Sequence, residues 1–160
     1  MLEDIDSSQF YSKIGIRYAD KISNKRTAAV LVTLVANTYA NNGQYDSAYN
    51  YFDKAEKRYK KLNADTIDPT YFFFKINKAA LFHELTLYDL MLNELFEAER
   101  IADSISDENF MGQILGGIAV GYKYNDDFEK AIFYNKKALK GVRKGELDEA
   151  TSFTNIRNNF

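Results

Sequence analysis

The stretch ANTYANNGQYDSAYNYFDKA, residues 36–55, decides how this chain folds. Upstream of Asn41-Asn42-Gly43, apolar residues follow helical spacing from Arg26 onward, and the glycine can take the left-handed conformation that ends a helix. A second helix is predicted from near Asp46 to Lys61, and its last turns carry cations where the carbonyl end of a helix favours them. The sequence therefore predicts a helix hairpin.

The same pattern returns twice along the chain. Five columns of small and aromatic residues agree in chemistry, with one larger residue, Met91, in an alanine column. Small residues let helices approach closely, and the aromatic side chains fill the space between hairpins. The columns are Ala36, Tyr39, Tyr45, Ala48 and Ala55; Ala79, Phe82, Tyr88, Met91 and Ala98; and Ala119, Tyr122, Phe128, Ala131 and Ala138. A recurrence of this kind is the signature of a repeat architecture.

These columns resemble the tetratricopeptide repeat (TPR), most clearly in GYKYNDDFEKAIFYNKKAL at 121–139. The copies exceed the usual length of about 34 residues, and the excess lies around 63–70 and 104–109. Such longer repeats resemble those of bacterial regulatory and signalling proteins. The chain departs from the family pattern in lacking its tryptophan, in replacing its closing proline by lysine or arginine, and in placing Asn135 where an aromatic residue is preferred.

The resemblance implies an all-α fold, an α-α superhelix in which antiparallel hairpins stack as a solenoid over residues 1–160. Repeats are expected at 29–62, 72–105 and 112–145. The second helix of a preceding half-repeat is expected at 8–24, and the first helix of a truncated repeat at 147–160. Because apolar half-hairpins at both ends would leave faces uncovered, we expect a fragment of a longer protein or a chain that pairs with another copy.

In the family the first helix of each hairpin lines a concave groove, and the resemblance places nine residues there. They are Thr33, Asn37 and Asn41 in the first copy, Phe73, Asn77 and Glu84 in the second, and Gln113, Gly117 and Tyr124 in the third. Asparagine both donates and accepts hydrogen bonds, which suits the backbone of an extended peptide. Solvated helix residues are the alternative for any single one of them.

One TPR subclass grips a C-terminal carboxylate with lysines, asparagines and an arginine. Asn37 and Asn77 stand at matching positions here, but the cationic positions hold Thr33, Gln113 and Gly117. A carboxylate would lack its counter-ion there. We therefore predict no clamp of that kind.

The sequence contains few of the residue types that commonly act in catalysis. There is no cysteine and one histidine, His83, so thiol nucleophiles, thiolate zinc sites and multi-histidine metal centres are excluded. The glycine-rich run 112–121 lies within a predicted helix rather than in a phosphate-binding turn, so close packing explains it better. Asp126, Asp127 and Glu129 lack the pattern of a calcium loop, and the last two are expected to cap the next helix. We predict no enzyme, no metal and no cofactor.

Charge is distributed unevenly along the chain. Residues 1–80 hold 12 basic and 9 acidic residues, and residues 81–160 hold 9 and 14, within a net charge of -2. Cations and aromatic residues alternate from Tyr51 to Lys61, but the aromatic residues belong to predicted core columns, so nucleic-acid binding by this segment is not expected. No apolar stretch suits a membrane span or an export signal. We expect a soluble chain, and the sequence leaves cytoplasm and periplasm open.

The preferred functional hypothesis is a non-catalytic scaffold that binds a protein or peptide segment in the groove, as the interaction or sensory part of a larger regulatory or signalling protein. The alternative is a homo-oligomerisation module that uses its terminal helices. An all-helical enzyme or small-molecule receptor is disfavoured by the missing catalytic residues.

Overall fold

Helices make up nearly all of the described chain. The structure, a computed structural model, describes residues 2–21, 23–62, 68–105 and 108–141. Within those ranges the helices are α1 (Leu2–Lys21), α2 (Lys25–Asn41), α3 (Tyr45–Lys61), α4 (Pro69–Glu84), α5 (Tyr88–Ile105), α6 (Glu108–Tyr124) and α7 (Phe128–Gly141). Consecutive helices pack as antiparallel pairs, so the predicted all-α class is confirmed. The predicted half-repeat at 147–160 and the end of the third copy lie outside the described residues.

The turns inside the three hairpins share one backbone device. Gly43, Thr86 and Asp126 occupy the same repeat column and have positive φ angles of 69°, 57° and 58°. In each turn the next residue's N–H reaches back five positions, as from Gln44 to the carbonyl of Tyr39, at 2.9 Å. This is the hydrogen bond that closes a helix with a left-handed residue. Gly43 ends the first helix as predicted, and Thr86 and Asp126 adopt the same left-handed backbone conformation in the other two turns.

The chain divides into two compact units, Met1–Leu81 and Phe82–Phe160. In the first unit, α3 buries one stripe of residues at spacings of four, three and four: Ala48, Phe52, Ala55 and Tyr59. Phe74 of α4 lies between two of them, with ring centroids 6.2 Å from Phe52 and 5.1 Å from Tyr59. The alanines allow close helix contact, as the repeat columns predict, and the rings of Phe52, Tyr59 and Phe74, which lie outside those columns, fill the remaining space.

Asp68 fixes the start of α4. Its Oδ1 accepts hydrogen bonds from the backbone N–H of Thr70 at 2.9 Å and from the Thr70 hydroxyl at 2.6 Å. Its Oδ2 lies 2.9 Å from Nε of Arg26, a charge contact without hydrogen-bond geometry. The carboxylate at this position therefore satisfies one free N–H group of the first helical turn.

In the second unit, α6 approaches α5 through glycines. A Cβ atom on Gly121 would lie 2.7 Å from Cδ2 of Leu92, and one on Gly117 would lie 3.2 Å from Cδ1 of Leu95. Gly116, by contrast, faces nothing within 4 Å. Close packing therefore accounts for two of the glycines in the run 112–121, and Gly116 has no packing reason.

None of the described helices is long and apolar enough to cross a membrane.

Candidate interaction surfaces

The three residues predicted as groove-lining on α2 differ in accessibility. Thr33 is only 5% exposed, and its hydroxyl donates to the carbonyl of Ala29 at 3.1 Å. The same hydroxyl side chain hydrogen-bonds with Tyr59, whose pKa is raised mainly by burial. Asn37 is half-buried and Asn41 is exposed. On α2, the two asparagines are thus the members accessible to a ligand.

On α4, Phe73 is 47% exposed and Asn77 is half-buried. The side-chain Nδ2 of Asn77 donates to the carbonyl of Phe73 one turn earlier, at 2.7 Å. That bond orients the amide along the helix beside the exposed ring. Leu34 of α2 is also 47% exposed, and its place on the accessible part of that helix was not anticipated from the sequence.

In the second unit the predicted residues lie in two surroundings. Gln113 is exposed, while Gly117 lies against Leu95 in the contact of α6 with α5. Tyr124 is 50% exposed and stacks on Tyr88, with ring centroids 4.7 Å apart and planes at 8°.

Glu84 and His83 end α4 next to this stack. Glu84 is exposed and its Oε1 lies 3.5 Å from Nδ1 of His83. The imidazole meets Tyr124 edge to face at 5.7 Å. His83 therefore packs among aromatic rings, and no nucleophile is among its described contacts.

Within the acidic group after α6, Asp127 behaves as a helix cap. Oδ1 of Asp127 accepts the backbone N–H of Lys130 at 3.1 Å, and its Oδ2 accepts a hydrogen bond from the Lys130 ammonium at 2.6 Å. These bonds lower the pKa of Asp127. Among the described residues, no three His, Cys, Asp or Glu side chains come close enough to hold a metal ion.

A feature that the sequence did not predict is a cleft of about 700 Å³ in the first unit, lined by side chains of α1, α2 and α3. Of its eleven lining residues, seven are lysine or arginine and one, Asp20, is acidic. The lining is therefore formally +6, in a chain whose net charge is -2. The other three lining residues are Ile16, Val32 and Tyr51. We call this feature the cationic cleft.

One ion pair crosses the cationic cleft. Nη1 and Nη2 of Arg58 donate to the two carboxylate oxygens of Asp20 at 2.7 and 3.1 Å, which joins α3 to α1 in a bidentate contact. The hydrogen bond from Arg58 lowers the pKa of Asp20, and the same bond raises that of Arg58. The carboxylate of the lining is thus already engaged by one of its cations.

The cleft could have been sought in the sequence by helical spacing. Lys13 and Arg17 are four residues apart on α1, and Lys54, Arg58 and Lys61 are spaced by four and three on α3. Such spacing places cations on one face of each helix. The spacing does not indicate that the cationic faces of α1 and α3 line the same cleft.

Comparison with known proteins identifies the fold. No family model and no curated protein sequence matches the chain. Among solved structures, it is similar to BtubC (BKLC) from P. vanneervenii, with a TM-score of 0.76 and 18% identity, over 99% of this chain and 71% of that one. It is also similar to the N-terminal domain of stress-induced protein-1 (STI-1) from C. elegans, with a TM-score of 0.66 and 16% identity, over 84% of this chain and 96% of that one.

At these identities the likeness concerns the fold alone. The chain has a TPR-like fold of antiparallel helix pairs, as the repeat columns predicted.

Proposed function

We propose that this chain is a non-catalytic scaffold that binds a protein or peptide segment. The segment binds on the accessible faces of the first helix of each hairpin, which we call the first-helix faces. The observation that carries the proposal is the exposure of large apolar side chains on α2 and α4: Leu34 and Phe73 are each 47% exposed, and the amide of Asn77 lies beside Phe73. Apolar anchors flanked by groups that donate and accept hydrogen bonds are what recognition of an extended peptide requires. TPR-like folds commonly serve as protein-interaction scaffolds.

Asn41 and Asn77 supply the polar part of this surface. Asn41 is exposed at the end of α2, and Asn77 keeps its Oδ1 and one N–H beyond the bond it gives to Phe73. The absence of lysine or arginine at Thr33, Gln113 and Gly117 argues against a partner held by its terminal carboxylate. The expected partner is therefore an internal segment with an apolar anchor. The role as the sensory or interaction part of a larger regulatory protein rests on the resemblance of the longer repeats.

The proposal is tested by selecting binders from a displayed library of random linear peptides and measuring their affinity by fluorescence anisotropy. Phe73→Ser should weaken the selected peptides by about tenfold or more, the value of one lost apolar anchor. Phe133→Ser is the matched control, because Phe133 of α7 is 62% exposed and lies on the second helix of its hairpin. Equal losses in the two variants, or a library that yields no binder, would refute the proposal.

Self-association is the second candidate function, and α1 favours it. Phe10, Tyr11 and Tyr18 of that helix are 61, 69 and 65% exposed. Three large aromatic side chains open to water on a terminal helix are typical of an interaction surface. Light scattering across a concentration series should detect a dimer that the triple serine variant abolishes, and a monomer at every concentration would exclude this function.

A further inference from the structure

We propose that the cationic cleft is a second binding site, and that its ligand is an acidic protein segment carrying an apolar side chain among its carboxylates. This site does not depend on the first-helix faces discussed above, because its lining comes mainly from α1 and α3. Each of the two sites can be lost without the other.

Two cations of the cleft are paired, Arg58 with Asp20 and Lys57 with Asp53, and four others are not neutralised. Within the described part of the chain, no carboxylate lies within 4.0 Å of Arg17, Lys25, Lys54 or Lys61, and Lys54 instead sits over the ring of Tyr51 at 4.6 Å. Like charges that line one cleft repel one another, although salt screens part of this repulsion. A bound anion would remove that repulsion, and this makes the cleft selective for negative charge in a protein whose net charge is also negative.

The size of the cleft and the residues that line it indicate which kind of anion it binds. A volume of about 700 Å³ is several times what one phosphate or carboxylate needs and falls within the usual range for ligand sites. Ile16 and Val32 add apolar surface to the otherwise charged lining. Lysines on flexible stems act as point charges and do not fix one rigid anion geometry. A segment with several carboxylates around one apolar side chain matches both the charged and the apolar residues of the lining.

Nucleic acid fits this cleft less well. Binding of single strands uses aromatic rings on which bases stack. The aromatic ring in the lining belongs to Tyr51, which already stacks on Tyr39 with centroids 5.2 Å apart and is covered by the Lys54 ammonium. Phosphates could reach the lysines, but the bases would find no free ring in the described lining.

The test uses the whole chain and three fluorescent probes: a peptide of alternating glutamate and leucine, a polyglutamate peptide, and a thymidine oligonucleotide of equal charge. Anisotropy titrations should give tightest binding for the glutamate-leucine peptide, with affinity falling as salt rises. Lys54→Glu combined with Lys61→Glu should lower that affinity by about tenfold or more. Both lysines are exposed on α3, so the fold should be retained, which circular dichroism checks.

The matched control is Lys136→Glu combined with Lys123→Glu, which makes the same change in net charge outside the cleft. Retained binding in this control supports the site, and an equal loss overturns it in favour of non-specific attraction. Tighter binding of the oligonucleotide, or of polyglutamate, would overturn the assigned ligand class. The result for the glutamate-leucine peptide in Phe73→Ser should equal that of the unaltered chain, which separates this site from the first-helix faces.

Discussion

The ammonium of Lys78 on α4 lies 2.6 Å from Oε2 of Glu56 on α3, and the side chains are only 11 and 18% exposed. Lys60 contacts the other oxygen of the same carboxylate at 3.0 Å. The pair therefore joins two helices of the first unit at a place where water is scarce. Burial by itself would raise the pKa of Glu56, but the hydrogen bonds from Lys78 and Lys60 outweigh it and lower the pKa to about 2.

This pair predicts an acid-sensitive contribution to stability. The ordinary pKa of Glu56 is 4.5, and its folded value is about 2. Because the folded value is the lower one, the unfolded chain takes up the proton first, so the stabilisation is complete above about pH 4.5 and is lost as the pH falls toward about 2. Denaturant unfolding measured from pH 7 to pH 2 should show this loss in the unaltered chain and a flatter profile in Glu56→Gln.

Glu97→Gln is the control for that experiment. Glu97 pairs with Arg100 at 3.3 Å within α5, with both side chains about half exposed. Exposed pairs of this kind contribute little, so the pH profile should stay close to that of the unaltered chain. Identical profiles for the two variants would contradict the role assigned to Glu56.

Replacing glycine by alanine should have opposite effects on stability at two positions of α6. Gly121→Ala should destabilise the chain by about 1–3 kcal/mol, because its new Cβ meets Leu92 too closely. Gly116→Ala should stabilise it by up to about 1 kcal/mol, because alanine favours the helix and the position faces open space. The double variant of Gly121→Ala and Leu92→Ala should lose less stability than the sum of the two single substitutions, because the shorter side chain makes room for the new Cβ. Thermal unfolding of the four variants tests the scheme, and equal effects at the two glycines would contradict it.

The hairpin turns predict a stabilising substitution. Thr86 has a φ of 57°, a conformation that costs a β-branched residue roughly 1–2 kcal/mol. Thr86→Gly should therefore raise stability by about 0.5–1 kcal/mol after the greater freedom of glycine in the unfolded chain is counted. Gly43→Thr, the reciprocal change at the same repeat position, should lower it by about 1 kcal/mol or more. A gain from Gly43→Thr would show that these turns do not share one conformation.

The fold was predictable because the small residues of the first repeat column lie in the core. Ala36, Ala79 and Ala119 are 0, 2 and 1% exposed, so the small residues that recur in the sequence are those that face neighbouring helices. Columns that pack are constrained in size at every copy, which makes them visible without a structure.

The candidate surfaces were predictable only in part. Position on a helix correctly predicted that Asn41 and Phe73 are accessible. It did not predict that Thr33 is buried, with hydrogen bonds to Ala29 and Tyr59. The cationic cleft escaped prediction for a different reason. It depends on residues of α1 and α3 that are about 40 positions apart, and no periodicity within one helix encodes that contact.

The carboxylate of the cationic cleft provides the last prediction. Asp20→Asn removes the acidic group of the lining and releases Arg58 from its bidentate contact. Binding of the glutamate-leucine peptide should become tighter by about two- to tenfold, since the site gains one formal positive charge and a free guanidinium. The stability of the chain should fall slightly, because an exposed ion pair between α1 and α3 is lost. Anisotropy and thermal unfolding on the same samples separate the two effects. Weaker binding in Asp20→Asn would mean that the contact between Arg58 and Asp20 shapes the cleft more than its charge opposes the ligand.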